Sequence, residues 1–356
     1  MCVGSAIVFA GMRRCLHLAL ILCGFPAAFA GPWPAGTSFP AACDATRSGW
    51  SQTRCEAGHT CCASQYSGSN LGCCPFADAV CCANKLTCCP AGTACVDALP
   101  AGWPNPWAAV TTCVPSAGTA AAAAANTTGV CVCKPGPPMP PSAALPNVLI
   151  IGDSVSIGYT PFVASALAGA ALVQHAPWGG DGGAEETAYG VQCLDYFLRA
   201  PNGSAFAADV VMFNWGLHDG PQLFGNLPPN VTIPGQEGNM TVYAAQLEAI
   251  TLRLAARQRA AGGALLFAVT SPMLCAARAD ADVAWLNVQA RAIMARHGVA
   301  TVDLHSAVTA KCGAVPQAAC FGADACFCPH CASAGYEWLA NSTVAPAIRQ
   351  LLPSSQ

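Results

Sequence analysis

The stretch Asn147-Val148-Leu149-Ile150-Ile151-Gly152-Asp153-Ser154 decides the fold of the larger part of this chain. Its short apolar run, rich in Val and Ile, predicts a buried strand that stops at Gly152. Residues 155–168 predict a helix. A serine at such a turn lies at the carboxyl end of a sheet and beside a helix N-terminus, where α/β proteins place reactive groups. The alternative is that Asp153 or Ser154 only caps the helix.

Strands and helices alternate from this stretch onward. Further apolar runs predict strands at 171–175, 209–214, 264–269 and 299–304, and periodic segments predict helices at 240–260, 283–296 and 333–352. Five short apolar strands separated by helices favour a parallel sheet covered on both faces. We therefore expect one α/β domain over residues 147–354, with reactive groups beyond the carboxyl ends of its strands.

Charge is scarce in this chain of 356 residues: the net charge is −3, and only 9% of residues are charged. A nucleic-acid-binding surface needs clustered Lys and Arg, so we expect no nucleic-acid partner. Beyond the N-terminus, no segment has the roughly eighteen uninterrupted apolar residues of a membrane span.

The N-terminus has the pattern of a secretory signal peptide over residues 1–30. Arg13 and Arg14 precede an apolar run at 16–25, and Ala28-Phe29-Ala30 fits the small-x-small cleavage pattern. An uncleaved anchor is the alternative. The 24 cysteines also indicate an oxidising compartment, so we expect a secreted, extracellular or secretory-lumen protein. Five glycosylation sequons agree with export: Asn126, Asn202, Asn230, Asn239 and Asn341.

Residues 43–113 form a cysteine-rich module with little aliphatic core. Its twelve cysteines are four adjacent pairs and four single residues: Cys43, Cys55, Cys61, Cys62, Cys73, Cys74, Cys81, Cys82, Cys88, Cys89, Cys95 and Cys113. Disulfides, each contributing about 2–4 kcal/mol, would have to replace the core. Adjacent cysteines rarely bond to each other, so the pairs should bond outward. Zinc is less favoured, because separated CxxC knuckles are lacking and His59 is the module's one histidine.

Two segments of this module, Gly72-Cys73-Cys74-Pro75-Phe76 and Thr87-Cys88-Cys89-Pro90-Ala91-Gly92, resemble the granulin (epithelin) repeat. The spacing of the cysteine pairs fits as well. Thr87 departs from the family, which usually has His there, and the gap from Cys95 to Cys113 is long. The resemblance implies a ladder of short hairpins held by six disulfides. It suggests a binding or spacer unit, with extracellular matrix or a protein as partner.

Residues 114–146 predict a linker. An alanine run at 120–125 and a proline-rich segment at 135–141 favour an extended, semi-rigid spacer. Cys131 and Cys133 are candidates to tie this linker to one of the two domains. Nine cysteines follow the module, so at least one is left unpaired, and we expect it to be Cys193 or Cys275.

Candidate reactive groups follow the predicted strands in order. Ser154 follows the first strand, a glycine-rich loop at 178–183 follows the second, Gly216-Leu217-His218-Asp219 follows the third, and His330 precedes the last helix. Acyl transfer to a serine needs a nucleophile, a base and donors for the oxyanion. These loops could supply all three.

Over residues 147–352 this arrangement resembles the SGNH (GDSL-type) hydrolase family, whose first block matches Gly152-Asp153-Ser154. The resemblance implies a three-layer, flavodoxin-like parallel sheet, with Ser154 as nucleophile and His330 as base. The oxyanion donors would be the N–H of Ser154, the N–H of Gly183 (or Gly180) and the side chain of His218. It further implies a serine esterase for carbohydrate O-acyl or small lipid esters that needs no cofactor or metal.

The third block departs from the family pattern, which has Gly-x-Asn-Asp where this chain has Gly216-Leu217-His218-Asp219. An imidazole N–H can donate the same hydrogen bond as the amide. A protonated ring would donate more strongly, which would make activity depend on pH. The alternative is that His218 only satisfies a buried polar network.

The fourth block departs further, because the family's Asp-x-x-His is Phe327-Cys328-Pro329-His330 here. Asp324 is the candidate to orient His330 instead, and a backbone carbonyl is the alternative. His330 could also bind a metal together with Cys326, Cys328 and Cys331.

Two other functions stay open at this point. The missing aspartate is compatible with a non-catalytic extracellular binding or signalling protein. The same site with water excluded would be an O-acyltransferase.

Overall fold

The computed structural model describes residues 43, 55, 58–64, 71–98, 110–116, 127–178, 182–220, 239–313, 315, 319–322 and 326–353. Several predictions fall elsewhere in the chain: the signal peptide, Gly180, Asp324, and the sequons at Asn126 and Asn230.

Five parallel strands form the sheet of the larger domain. They are β9 (Asn147–Ile151), β10 (Leu172–Ala176), β11 (Val210–Phe213), β12 (Ala264–Val269) and β13 (Ala300–Asp303). Their spatial order is β10-β9-β11-β12-β13, and every neighbouring pair is parallel. This is the flavodoxin-like order, with the switch point beside the first strand. The predicted fold class is confirmed.

Helices cover both faces of this sheet. They are α1 (Ser154–Ala166), α2 (Thr187–Phe197), α3 (Met240–Ala261), α4 (Ala277–His297), α5 (Leu304–Cys312), α6 (Ser333–Leu339) and α7 (Ala345–Arg349). A π-helical turn, Ala340–Val344, joins α6 to α7. The last predicted helix therefore runs without a break, but its middle turn is π-helical and not α-helical. Helices α2 and α5 were not expected from the sequence, and α4 begins six residues earlier than expected.

Successive side chains of a strand point to opposite faces of the sheet, so alternate residues of each strand pack on opposite sides of it. Leu149 and Ile151 lie in one hydrophobic cluster with residues of α2 and α3. Val148 and Ile150 lie in the other, with residues of α1 and the terminal helices. The sheet is therefore the middle layer of three. No helix among the described residues is long and apolar enough to cross a membrane.

Short antiparallel strands build the cysteine-rich module. They are β1 (Thr60–Ala63), β2 (Leu71–Cys74), β3 (Val80–Cys81), β4 (Thr87–Cys89), β5 (Thr93–Ala98), β6 (Val110–Pro115), β7 (Thr127–Thr128) and β8 (Val130–Cys131). Six disulfides link successive rungs: Cys43–Cys61, Cys55–Cys73, Cys62–Cys81, Cys74–Cys88, Cys82–Cys95 and Cys89–Cys113. Each adjacent pair bonds outward, and the result is the ladder that the resemblance implied.

The predicted linker is partly ordered structure: residues 114–115 belong to β6, and the described stretch from residue 127 onward is packed between the two domains. Strands β7 and β8 extend the sheets of the module. The backbone of Cys133 pairs with Cys73, while its side chain is bonded to Cys193 in α2. Further along, Met139 donates its N–H to the Gln174 side chain. Lys134 likewise donates its N–H to the Tyr189 hydroxyl in α2. Because both backbone groups are bound by the α/β domain, the described residues from 134 onward form a strap along this domain and not a free spacer.

The expectation of an unpaired thiol at Cys193 or Cys275 is wrong. Cys193 bonds to Cys133 and Cys275 bonds to Cys328, whereas Cys131 is the unpaired cysteine of the described residues. The spacing Cys-x-Cys places Cys131 and Cys133 on the same side of an extended segment. Only one of them can bond to the single cysteine of α2.

Candidate active site

Ser154 follows the carboxyl end of β9, the first strand of this sheet in the sequence, and is the first residue of α1. The helix cap is the preceding residue, since Asp153 Oδ1 accepts the N–H of Val155 at 2.9 Å. The helix is therefore capped by the side chain of Asp153 and not by that of Ser154. Ser154 is half-buried and is the first residue of the helix, so its N–H has no acceptor within the helix.

His330 lies against this serine, although 176 residues separate them in the sequence: His330 Nε2 is 2.7 Å from Ser154 Oγ. The loop that carries His330 is held by two disulfides, Cys275–Cys328 and Cys326–Cys331. These bonds contradict the metal-site alternative, because they leave Cys326, Cys328 and Cys331 without thiolates to offer.

Phe327 stands where the family has its aspartate, and it serves packing. Its side chain has no exposed surface, and its ring centroid lies 6.1 Å from that of Tyr336 and 6.4 Å from that of Phe321. Its carbonyl accepts the N–H of Leu274 at 2.9 Å. Phe327 therefore anchors the histidine loop in the core.

Gly183 directly borders the turn at residues 152–154. It forms an isolated bridge with Asp153, and the next residue, Ala184, donates its N–H to the carbonyl of Gly152 at 2.8 Å. A Cβ at Gly183 would lie 2.2 Å from that carbonyl oxygen, and its φ of +64° is left-handed. Only glycine suits both conditions.

His218 lies in a short 3₁₀ helix, Leu217–Asp219, just beyond β11. Its side chain is 14% exposed, and its Nδ1 is 3.2 Å from Glu185 Oε2. The other carboxylate oxygen of Glu185 is 2.6 Å from Lys134 Nζ. His218 therefore takes part in a buried polar network at the site, one of the roles left open by the sequence.

No sequence motif predicts a role for Glu185 or Lys134. Their charge is the one signal in the sequence: only 9% of residues are charged, yet Glu185 follows the glycine-rich loop and Lys134 precedes the proline-rich segment.

A second serine–histidine contact lies beneath the first. Ser156 Oγ is 2.6 Å from His175 Nε2, and both side chains are buried. Burial lowers the pKa of His175 to about 4, so the ring is neutral at neutral pH. Ser156 also contacts the Asp153 carbonyl at 2.7 Å, so this inaccessible pair supports the turn.

Asp153 and Asp219 are further buried carboxyls beside the site. Burial raises the pKa of Asp153, against the opposing effect of nearby His218 and His330 and of backbone hydrogen bonds. Burial also raises the pKa of Asp219 to about 6, although hydrogen bonds from the Thr187 N–H and O–H partly oppose this.

The buried carboxyl of Asp219 should make stability depend on pH. A carboxyl whose pKa rises from 3.8 to about 6 on folding contributes stability that is present below pH 3.8 and lost as the pH rises through about 6. The full loss is about 3 kcal/mol, of which about 2 kcal/mol falls between about pH 4.5 and about pH 7.5. In Asp219→Asn the side chain cannot ionise, and its amide oxygen can still accept the hydrogen bonds of Thr187. In denaturant unfolding, the free energy of unfolding of this variant relative to the parent should rise by about 2 kcal/mol over that pH range. A difference between the two proteins that does not change with pH would contradict the expectation.

The described sequons differ in exposure. Asn341 is exposed and Asn202 is half-buried, but Asn239 is only 6% exposed. The Asn239 side chain caps α3 by accepting the N–H of Thr241. A glycan on that buried cap would have to displace it, so the structure argues against Asn239 as an acceptor.

Residues 60–99 match the granulin family model. Progranulin from Homo sapiens is 52% identical over 44 residues, and progranulin from Mus musculus is 48% identical over 44 residues. The match covers 12% of this chain and only 7% of the length of each progranulin.

Solved structures similar to this chain include esterases and acylhydrolases. A catalytic mutant of an acetylxylan esterase from Geobacillus stearothermophilus is 14% identical, with a TM-score of 0.43, covering 60% of this chain and 99% of its own. A lipase/acylhydrolase from Enterococcus faecalis is 17% identical, with a TM-score of 0.39, covering 59% and 99%. A GDSL-like lipase from Bacteroides thetaiotaomicron is 12% identical, with a TM-score of 0.41, covering 58% and 89%.

Proposed function

We propose that this protein is a secreted serine esterase. The contact of 2.7 Å between Ser154 Oγ and His330 Nε2, at the carboxyl edge of a parallel sheet, carries the proposal. The hydroxyl of Ser154 attacks the ester carbonyl while Nε2 of His330 takes its proton. The tetrahedral intermediate then collapses to an acyl-enzyme, and His330 returns the proton to the departing alcohol. Water, deprotonated by His330, releases the acid.

The oxyanion of the tetrahedral intermediate needs preorganised donors. We assign this role to the N–H groups of Ser154 and Gly183 and to the ring of His218. Two observations support the assignment. Gly183 bridges directly to the nucleophile turn, and His218 is close enough to the turn to lower the pKa of Asp153.

The histidine base needs an orienting partner, and we keep Asp324 as the proposed one. The disulfides and the buried ring of Phe327 hold the described part of the loop, including the backbone that leads to His330. In this proposal the held loop positions the imidazole, and Asp324 orients its ring.

The proposed substrates are carbohydrate O-acyl esters or small lipid esters. Ser154 is half-buried and His330 is exposed, so the reacting pair is open to an ester carried on a larger molecule. The granulin-like module, locked to α2 through Cys133–Cys193, would hold the enzyme at an extracellular matrix or protein partner.

A fluorophosphonate probe tests the mechanism most directly. The probe should label the purified protein on Ser154, as shown by mass spectrometry of the modified peptide, because only an activated serine displaces its fluoride. The variant Ser154→Ala should take up no label. Labelling of another serine, or equal labelling of the variant, would refute the assignment of the nucleophile.

A further inference from the structure

A chain of buried charges runs behind the proposed oxyanion donors. Lys134 Nζ lies 2.6 Å from Glu185 Oε1 and 2.8 Å from the carbonyl oxygen of Gly183. Glu185 Oε2 lies 3.2 Å from His218 Nδ1. The side chains of Lys134 and Glu185 are only 2% and 3% exposed.

The local backbone accommodates this carboxylate at a cost. Glu185 has a φ of +51°, in the left-handed region that a residue with a Cβ rarely adopts. Gly182 makes room for it, since a Cβ there would lie 2.0 Å from Glu185 Oε1. A buried ion pair contributes little net stability compared with a packed apolar pair. Strain that accumulates beside a reactive serine is typical of a functional constraint.

The contact with Glu185 determines which protonation state of His218 can serve the reaction. A ring that donates Nδ1–H to Glu185 and is otherwise neutral has a bare lone pair on Nε2. Such a nitrogen repels an oxyanion. Only the imidazolium donates from both nitrogens at once, with Nδ1–H to the carboxylate and Nε2–H to the substrate oxygen.

We propose that Glu185 is a positioning residue that holds His218 as the imidazolium, with its Nε2–H directed to the oxyanion, and that Lys134 fixes both Glu185 and the Gly183 carbonyl. This inference rests on the proposed esterase function. It makes Lys134, a residue of the strap, part of the active site. It also requires opposite protonation states of His218 and His330. His330 must be neutral to accept a proton, whereas His218 must be charged.

Carboxyl groups lie around His218. Those of Asp153, Glu185 and Asp219 face it, and Lys134 is the cation that contacts Glu185. A carboxylate is a strong acceptor for an imidazolium N–H. Turnover should therefore depend on the charge of Glu185, acting through His218.

The variant Glu185→Gln tests the proposal, because it keeps the shape and removes the charge. We expect kcat to fall at least about tenfold with KM changed less than about threefold, as for loss of an oxyanion interaction.

The variant His218→Asn supplies the matched control. An amide donates its N–H without help from a carboxylate, so adding Glu185→Gln to this variant should change kcat less than about threefold. Circular dichroism checks the folding of each protein. If Glu185→Gln does not fold, Glu185→Asp takes its place, because it keeps the charge but withdraws the carboxylate from His218. If the Glu185 variant keeps the parental kcat, or lowers kcat as much beside His218→Asn as in the parent, the inference is wrong. Fluorophosphonate labelling of Ser154 in the parent shows separately whether the esterase mechanism holds.

Discussion

Replacing Ser154 by alanine should lower kcat/KM for p-nitrophenyl acetate by about 10⁴-fold or more, because the variant loses the nucleophile. His330→Ala should cause a loss of similar size. The two side chains act as one unit across their contact of 2.7 Å, so the double variant should be no worse than either single one. Steady-state kinetics on the three proteins measures both the size of the loss and its lack of additivity.

Ser165→Ala is the matched control for this experiment. Ser165 is also in α1, but its side chain is exposed. Its removal should leave turnover within about twofold of the parent, as is usual for surface substitutions. Parental activity in Ser154→Ala would disprove the mechanism, and losses that multiply in the double variant would show that the two residues act separately.

Removing the disulfide Cys326–Cys331 by changing both cysteines to alanine should cost about 2–4 kcal/mol of stability and up to about 100-fold in kcat/KM. His330 is the residue next to Cys331 and lies inside this closed loop. Without the bond, the imidazole is held near Ser154 for a smaller fraction of the time. Thermal unfolding and kinetics on the same samples measure the two effects.

The disulfide Cys312–Cys320 provides a comparison, since it lies in the same domain and closes a loop without His330. Its removal should lower the melting temperature but leave kcat/KM within about threefold of the parent. If both disulfide variants lose activity equally, the loss reflects general destabilisation and not the position of His330.

Strands that form an uninterrupted apolar run were predictable from the sequence, and 264–269 was placed to the residue. Helix α2 was not, because Gly190 weakens its helical signal. The reason for that glycine is tertiary, since a Cβ there would lie 2.7 Å from the Trp215 ring. The local sequence pattern cannot show that a glycine is required by a contact that forms only in the folded protein.

The same limit applies to the site. Ser154 and His330 were identifiable because each stands at an element end on the reactive edge of the sheet. Lys134 was not, because it lies 51 residues from Glu185, in a segment whose composition resembles a spacer. The partner of a buried charge depends on packing between segments, which neither composition nor periodicity encodes.

The disulfide Cys133–Cys193 closes a covalent ring over 60 residues of sequence, and this ring contains β9, Ser154, β10 and Gly183. A protease that cuts the chain once between those two cysteines therefore produces two fragments that stay joined. The nicked protein would migrate as one species without reductant and as two with it. Separating the cysteine-rich module from the α/β domain at this place would require both cleavage of the chain and reduction of the disulfide.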